Sequence, residues 1–369
     1  MRVVFFTEGK NVPARRFRVE HFLKFLKDED VEYIELPSYP SKYFNFSFKN
    51  KFVSVCSFGI LSVIKAAVRI IQMPAVLFAD VVFIQRELLS YNIFFLERLV
   101  WILNKNIIFD FDDSIFLYKD EITSSIGKYL TKKDAFAETI KMSQKVICGN
   151  NYLANHVKKY NKNIIVIPTV LDVEKYIPAA EINNKKHPSV IGWMGTSGNL
   201  KYLLSLKNVF SEIQKKYPDT ILRIVTDNFL FREEFSQVIS TEFKKWSAVE
   251  EVVDLQGFSL GLMPLFDDKW TKGKCGFKIL QYMATGVPVV ASAVGVNKEI
   301  IQNGKNGFLV NTDEEWKVKI LEIIENKDDA IKKFSLEGRK RVETQYSVQA
   351  IFPIWIQSLR EATSGKKDL

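Results

Sequence analysis

The sequence predicts an α/β chain built as two parallel-sheet domains facing across a cleft, and three observations carry that reading. Short runs rich in β-branched and aromatic residues alternate with helix-period segments along the whole chain. The alternation stops at a polar stretch bracketed by prolines, Pro178 to Pro188, and then restarts. The length of 369 residues suits two ordinary domains with ample core. The domains are accordingly placed at 1–175 and 176–346. A ligand cleft between them is the default site of such an architecture.

In the first domain, Arg2 to Phe6 is a β-branched and aromatic run, too short for a signal peptide, that reads as the first strand. It turns at Glu8-Gly9-Lys10-Asn11-Val12-Pro13 into a helix with Phe17, Phe22, Leu23, Phe25 and Leu26 on its apolar stripe. Strand, glycine turn and helix make a Rossmann-like opening without the G-x-G-x-x-G fingerprint. Arg15, Arg16 and Arg18 stand at the helix start, against the helix dipole, where they call for an anion or form a solvated basic face. Val31 to Leu36 and Asp80 to Gln85 are the next strands. Asn106 to Phe111 follows and runs into the acidic cluster Asp110, Asp112 and Asp113. Carboxylates at a strand's C-terminal end lie where open α/β sheets bind ligands. Helix capping by Asp113 or Ser114 is the plainer alternative. Lys145 to Cys148 and Asn163 to Thr169 complete this sheet.

Between Glu35 and Asp80 there is no Asp or Glu, while Lys42, Lys49, Lys51, Lys65 and Arg69 interleave with tyrosines and phenylalanines. That mixture suits an anionic membrane surface over residues 36–79, with rings at headgroup depth and lysines against phosphates. A core-packing helix is the alternative. A spanning helix is excluded because Lys65 and Arg69 interrupt the apolar run.

In the second domain, Val190 to Met194 runs into a glycine turn at Gly195, Thr196 and Gly198, and a helix near Asn199 carries Lys201. Ile221 to Val225 and Leu260 to Leu265 are strands. Lys272 to Ser292 then reads as a Gly- and Lys-containing loop, a short helix, a Gly-Val-Pro turn and a buried strand. Such a loop feeds free N–H groups and a helix dipole toward an anion. Phe308 to Val310 is the last strand, and helices at 314–325, 328–343 and 348–361 close the chain.

Hydrophobic residues make up 47% and charged residues 26%, ordinary for a soluble globular protein, while the net charge of +9 points to an anionic partner. No nucleic-acid reading motif is present, so nucleic acid is set aside. Cys56, Cys148 and Cys275 are too scattered for a disulfide framework and fit a reducing, cytoplasmic setting. His21, His156 and His187 lack metal-ligand spacing, and the acidic cluster is read without a metal.

With these pieces in order, the chain resembles the retaining glycosyltransferases of family 4, of GT-B type, over nearly its whole length. Gly192-Trp193-Met194-Gly195, Gly261-Leu262-Met263-Pro264-Leu265, Leu280-Gln281-Tyr282-Met283-Ala284 with Gly286 to Ser292, and Asn306 to Val310 carry the resemblance. The family's usual pair of glutamates falls here on Gly273 and Gln281, which marks a sub-branch. The resemblance implies transfer of a sugar from a nucleotide-sugar donor to a glycan or lipid-linked acceptor with retention, in surface polysaccharide or glycolipid synthesis. It calls for no resident cofactor. It implies donor binding by Gly9, Lys10, Gly195, Thr196, Lys201, Lys274, Cys275, Gly276, Phe277, Lys278 and Gln281, with Gln281 toward the ribose. Arg15, Arg16 and Arg18 would serve a diphosphate or an anionic acceptor, and Asp110, Asp112 or Asp113 the reacting sugar or acceptor hydroxyl. The last helix, 347–369, would rejoin the first domain. The protein is then expected in the cytoplasm, at the inner face of the cell membrane when its acceptor is lipid-linked. A nucleotide-sugar epimerase and a nucleotide-sugar-binding protein are the competing readings, and scarce histidine weighs against the first.

Overall fold

The computed structural model describes residues 1–9, 12–38, 51–89, 94–120, 134–179 and 189–363, and of these the side chains of all but 51–60, 118–120 and 327–331. Lys10, the aromatic and basic residues at 39–50, and the linker at 180–188 lie outside the described residues. The chain divides into two compact units. One comprises Met1–Val170, Gly273–Cys275 and Ile351–Leu369, and the other Leu171–Lys272 and Gly276–Ala350.

The first unit carries strands β1 (Arg2–Thr7), β2 (Glu32–Pro37), β3 (Val81–Gln85), β4 (Ile107–Phe111), β5 (Lys145–Cys148) and β6 (Ile164–Val166). All pair in parallel, in the order β2-β1-β3-β4-β5-β6. The central strands β3, β4 and β5 are buried throughout, as continuous Val/Ile/Phe runs covered on both faces must be. From Ile351 onward the Val348–Thr363 helix belongs to this unit. Its Trp355 stacks on Phe22 at 4.7 Å and on Phe5 of β1 at 5.8 Å.

The second unit carries β7 (Val190–Met194), β8 (Ile221–Thr226), β9 (Ser240–Lys245), β10 (Leu260–Met263), β11 (Val289–Ser292) and β12 (Phe308–Val310). They too are all parallel, in the order β12-β11-β10-β7-β8-β9. Alternate residues enter two separate cores. Ile191, Trp193, Leu222 and Ile224 lie in one, and Met194, Val225, Met263 and Ala291 in the other, so both faces of the sheet are packed.

The expected α/β fold with two parallel sheets is what the chain adopts. The strand that sequence reading omits is β9, whose run Ser-Thr-Glu-Phe-Lys-Lys sits at the sheet edge with little burial. An edge strand needs no apolar run, and its charges deter further pairing. In each sheet one strand has its successors on opposite sides. In the first unit that strand is β1, beside β2 and β3, and in the second it is β7, beside β8 and β10. At such a switch point the loops leave the strand ends in opposite directions and open a crevice for ligand.

Candidate functional site

The first unit's switch point is dense with ion pairs. Beyond β3 the chain turns at Arg86, a non-glycine residue held at φ 61°. Its N–H donates to the carbonyl of Asp110 at 2.7 Å, and the turn aims its guanidinium across the strand ends. There Nη2 lies 2.9 Å from Asp112 Oδ1 and 2.6 Å from Asp113 Oδ2, and Nη1 lies 3.6 Å from Glu8 Oε2. Burial pushes the Asp112 carboxyl up, but the charges of Arg86 and Arg18 outweigh it and hold the group below its ordinary range. For Asp113 burial prevails, and its carboxyl is raised even beside Arg86. Asp110 is fully buried and its carboxylate is gripped through both oxygens by Arg18, whose Nη1 also donates to the Ile167 carbonyl at 2.6 Å.

This corrects the reason for expecting an outside anion at the first helix. That helix spans Pro13 to Leu23 with a π turn at Arg16–Glu20. Its cations meet anions of their own unit. Arg15 Nη2 donates to Glu35 Oε2 and Nη1 to Glu20 Oε2, both at 2.8 Å, and Arg18 holds Asp110. Arg16 is half-buried against the Phe17 ring. Gly9 is buried beside this cluster, its carbonyl accepting from Val12 N. Sequence reading gives neither Glu8 nor Arg86 a role. The one signal for Arg86 is its place immediately after a buried strand.

Gly273 to Cys275 belong to the first unit as well. Asn150 Nδ2 donates to the Gly273 carbonyl at 3.0 Å and to the Lys274 carbonyl at 3.1 Å. A Cβ on residue 273 would stand 2.0 Å from Ser114 Oγ, so no larger side chain, a glutamate included, fits without displacing Ser114. Lys274 is half-buried and its charge pulls against the rise in Asp113.

The second unit's switch point has the opposite character. Gly195 follows β7, and a Cβ there would lie 2.5 Å from Lys278 Cε and 3.0 Å from its Nζ. The glycine therefore lets the Lys278 side chain lie on the backbone beyond β7. Lys278 Nζ also sits 5.3 Å from the centroid of the buried Trp193 ring, a cation–π contact that restricts where the ammonium can go. Lys278 stands in the first turn of the Phe277–Ala284 helix, which begins at Gly276 with φ 67° and no capping side chain. The positive end of that helix and the ammonium thus share one strand-end region. Thr196 is exposed, and its hydroxyl accepts from Asn199 Nδ2 at 2.8 Å. Lys201 is exposed, its Nζ 5.2 Å from the Tyr202 ring centroid.

Gln281 is placed otherwise than its expected role requires. It is buried, and its Nε2 donates to Glu251 Oε1 at 2.9 Å and lies 3.4 Å from the Tyr176 hydroxyl. Its amide nitrogen is committed to the interior of the unit. Among the described residues, no His, Cys, Asp and Glu cluster is arranged to hold a metal ion.

Residues 188–326 match the family model of glycosyl transferases group 1. A probable sucrose-phosphate synthase of Thermosipho melanesiensis is 40% identical over 72 residues, a match spanning 20% of this chain and only 16% of that protein. Over the whole chain, the solved sucrose-phosphate synthase of Thermosynechococcus elongatus superposes with a TM-score of 0.71 at 13% identity, covering 99% of this chain and 100% of that one. Anabaena HepE, solved with UDP and glucose, superposes at 0.67 with 12% identity, covering 98% and 99%. Likeness at such identity is likeness of fold. Residues 188–326 therefore resemble the group 1 glycosyltransferases, and they are set in a chain whose two parallel six-stranded sheets are those of the GT-B fold.

Proposed function

We propose that the chain transfers a sugar from a nucleotide-sugar to a glycan or lipid-linked acceptor with retention of configuration, in surface polysaccharide or glycolipid synthesis. The observation that carries the donor half is Lys278 lying across Gly195 at the switch point of the second sheet. In the reaction the bond between the anomeric carbon and the diphosphate oxygen breaks, and the diphosphate leaves with the electron pair. The acceptor oxygen forms the new bond, and its proton passes to the departing diphosphate. Charge therefore builds on phosphate oxygens, where a positioned ammonium and an uncapped helix start stabilise it without reorganising. Lys278, the backbone of Gly276 and Phe277, Thr196 and the exposed Lys201 are the groups we assign to the donor.

In the first unit we assign Asp113, the most exposed of the three aspartates, to an acceptor hydroxyl. Asp110, Arg15 and Arg18 hold one another's neighbourhood together and are left out. HepE was solved with UDP and with UDP-glucose, which makes UDP the first nucleotide to try. The nucleotide-sugar is substrate here, and no resident cofactor enters the reading. The work is placed in the cytoplasm, at the inner face of the cell membrane.

Thermal shift with a panel of nucleoside diphosphates and nucleotide-sugars tests the donor half. Stabilisation by one diphosphate, with hydrolysis or transfer of its sugar, is the expected result. Stabilisation by none overturns the reading, and tight binding with no turnover on any acceptor reduces the chain to a nucleotide-sugar-binding protein.

A further inference from the structure

The Lys51–Gln72 helix is inside out where its side chains are described. Lys65 is 4% exposed and Arg69 0%, while Val63 is 70% and Ile71 78% exposed. Val63, Ile64, Ala67, Ile70 and Ile71 follow one another at helical spacing along the outer face. The exposed row continues through Leu77 and Phe78 of the Met73–Phe78 turn. Such a row in water is unfavourable, because contiguous aliphatic surface is what a soluble protein ordinarily hides. The cations are inside for a reason. Arg69 donates to the carbonyls of Thr7 and Leu36, both at 2.7 Å, and to Leu88 at 3.3 Å, while Gln72 Nε2 donates to the Pro37 carbonyl at 3.1 Å. These bonds satisfy the backbone at the ends of β1 and β2 and clamp the helix to the sheet.

We infer that this helix seats the first unit on a lipid bilayer lying in its plane, the outer aliphatic row entering the acyl boundary while Arg69 and Gln72 on the inner face hold the protein. The inference rests on the membrane placement proposed above and says which groups make it. It reverses the expected roles of Lys65 and Arg69, which face the protein and not lipid phosphate. By length and composition alone Leu61–Phe78 is apolar enough to cross a membrane. The Arg69 clamp argues for lying on it, since crossing would break every one of those bonds.

Charge selects the occupant. From 61 to 79 the only ionisable side chains are the buried Lys65 and Arg69. The neighbouring Phe95–Leu103 helix shares the core of Met73 and Val76 and shows Phe95, Arg98 and Ile102 outward, with exposed Lys105 just beyond; its Glu97 is buried. The apolar row is thus edged by Arg98 and Lys105, with no exposed carboxylate on either helix; the exposed carboxylate of Asp80, just beyond Ala79, accepts from the Arg2 N–H at 2.8 Å. A second copy docked face to face would bring those cations together, whereas anionic headgroups would neutralise them.

Flotation of the full chain with phosphatidylglycerol–phosphatidylcholine vesicles, against phosphatidylcholine alone, tests this. Wild type should float with the mixed vesicles and be released by alkaline carbonate. I70S/I71S should weaken flotation at least about tenfold on both compositions, with melting point and UDP-induced shift unchanged. R98Q/K105Q should weaken it on the order of tenfold on mixed vesicles only. Wild-type flotation that I70S/I71S leaves intact overturns the inference while membrane placement stands. A folded wild type that floats with neither vesicle overturns both. A dimer that I70S/I71S dissolves, with no flotation, gives the face to a second copy and overturns the inference too.

Discussion

The two sheets share a topological feature and fill it oppositely. At β1 and β3 the crevice holds four carboxylates, Glu8, Asp110, Asp112 and Asp113, against two guanidinia, Arg18 and Arg86. At β7 and β10 it holds Gly195, the uncapped start of the Phe277–Ala284 helix and Lys278. The first is a closed network in which nearly every charge already has a protein partner. The second sets a lysine and a helix start beside small residues that let a ligand approach. Topology alone fixes where a site can be, and side-chain charge decides what it can hold. A diphosphate would be repelled by the first arrangement and stabilised by the second.

The largest expected effect comes from breaking the closed network. R18M leaves Asp110 buried without its cation and should destabilise the first unit by about 3–5 kcal/mol. Urea denaturation, with amide exchange on β4 to localise the loss, measures it, and adding D110N should restore most of the stability. A loss below about 1 kcal/mol would mean that the pair is dispensable and the first crevice less closed than its geometry indicates.

The next effect sets the two units apart by pH. Burial first of all pushes the Glu97 carboxyl up, to about 7, against the lowering influence of the Leu88 N–H on its Oε1. Glu87, burial again the main cause with the Glu97 charge behind it, rises to about 8. Between its unfolded value of 4.5 and about 7, Glu97 is protonated when folded and ionised when unfolded. The folded state then binds the extra proton, so stability present below about pH 4.5 is lost as pH rises to about 7. E97Q cannot ionise and keeps the acceptor for Leu88. Its unfolding free energy, from urea denaturation, should match wild type at pH 4.5 and exceed it at pH 8 by up to about 3 kcal/mol. Parallel pH profiles for the two proteins would refute the assignment.

In the second unit the prediction concerns ligand rather than fold. K278A should weaken binding of a nucleoside diphosphate by about 1–3 kcal/mol, the loss of a charged hydrogen bond. Stability of the unliganded protein should move by no more than about 0.5 kcal/mol. Calorimetry with UDP gives the first number and chemical denaturation the second. Unchanged affinity would remove Lys278 from the site and with it the contrast between the crevices.

The same contrast shows what a single sequence exposes. The buried strands are legible because each is a continuous apolar run between turn residues, as Val81–Gln85 and Val289–Ser292 show. β9 is not, because an edge strand keeps its polar residues. The glycine and lysine of the second crevice can be read from order and spacing, since Gly195 ends a strand and Lys278 begins a helix. The first crevice cannot be read that way. Arg86 meets Glu8, Asp112 and Asp113 only after three strands from distant parts of the chain lie side by side, and nothing local marks its turn. Gln281 is the converse case. Its motif position is conspicuous, but its orientation is set by Glu251, thirty residues away, which draws the amide inward.

The smallest effect tests the geometry of the second crevice itself. Gly195 is not in the left-handed region, so its backbone accepts alanine. The new methyl would meet Lys278 Cε at 2.5 Å and the Trp193 ring edge at 3.0 Å. The first is the far end of a flexible side chain that can swing away, and the second needs a shift of a few tenths of an ångström. G195A should therefore fold with little loss but push the ammonium off its perch, weakening diphosphate binding by about 1 kcal/mol. If that loss acts through Lys278, it must vanish where Lys278 is already gone. In a double-mutant cycle, G195A should cost affinity in the wild-type background and none in K278A. Equal costs in both backgrounds would mean that residue 195 meets the ligand with its own backbone, and that the lysine and the glycine serve the diphosphate separately.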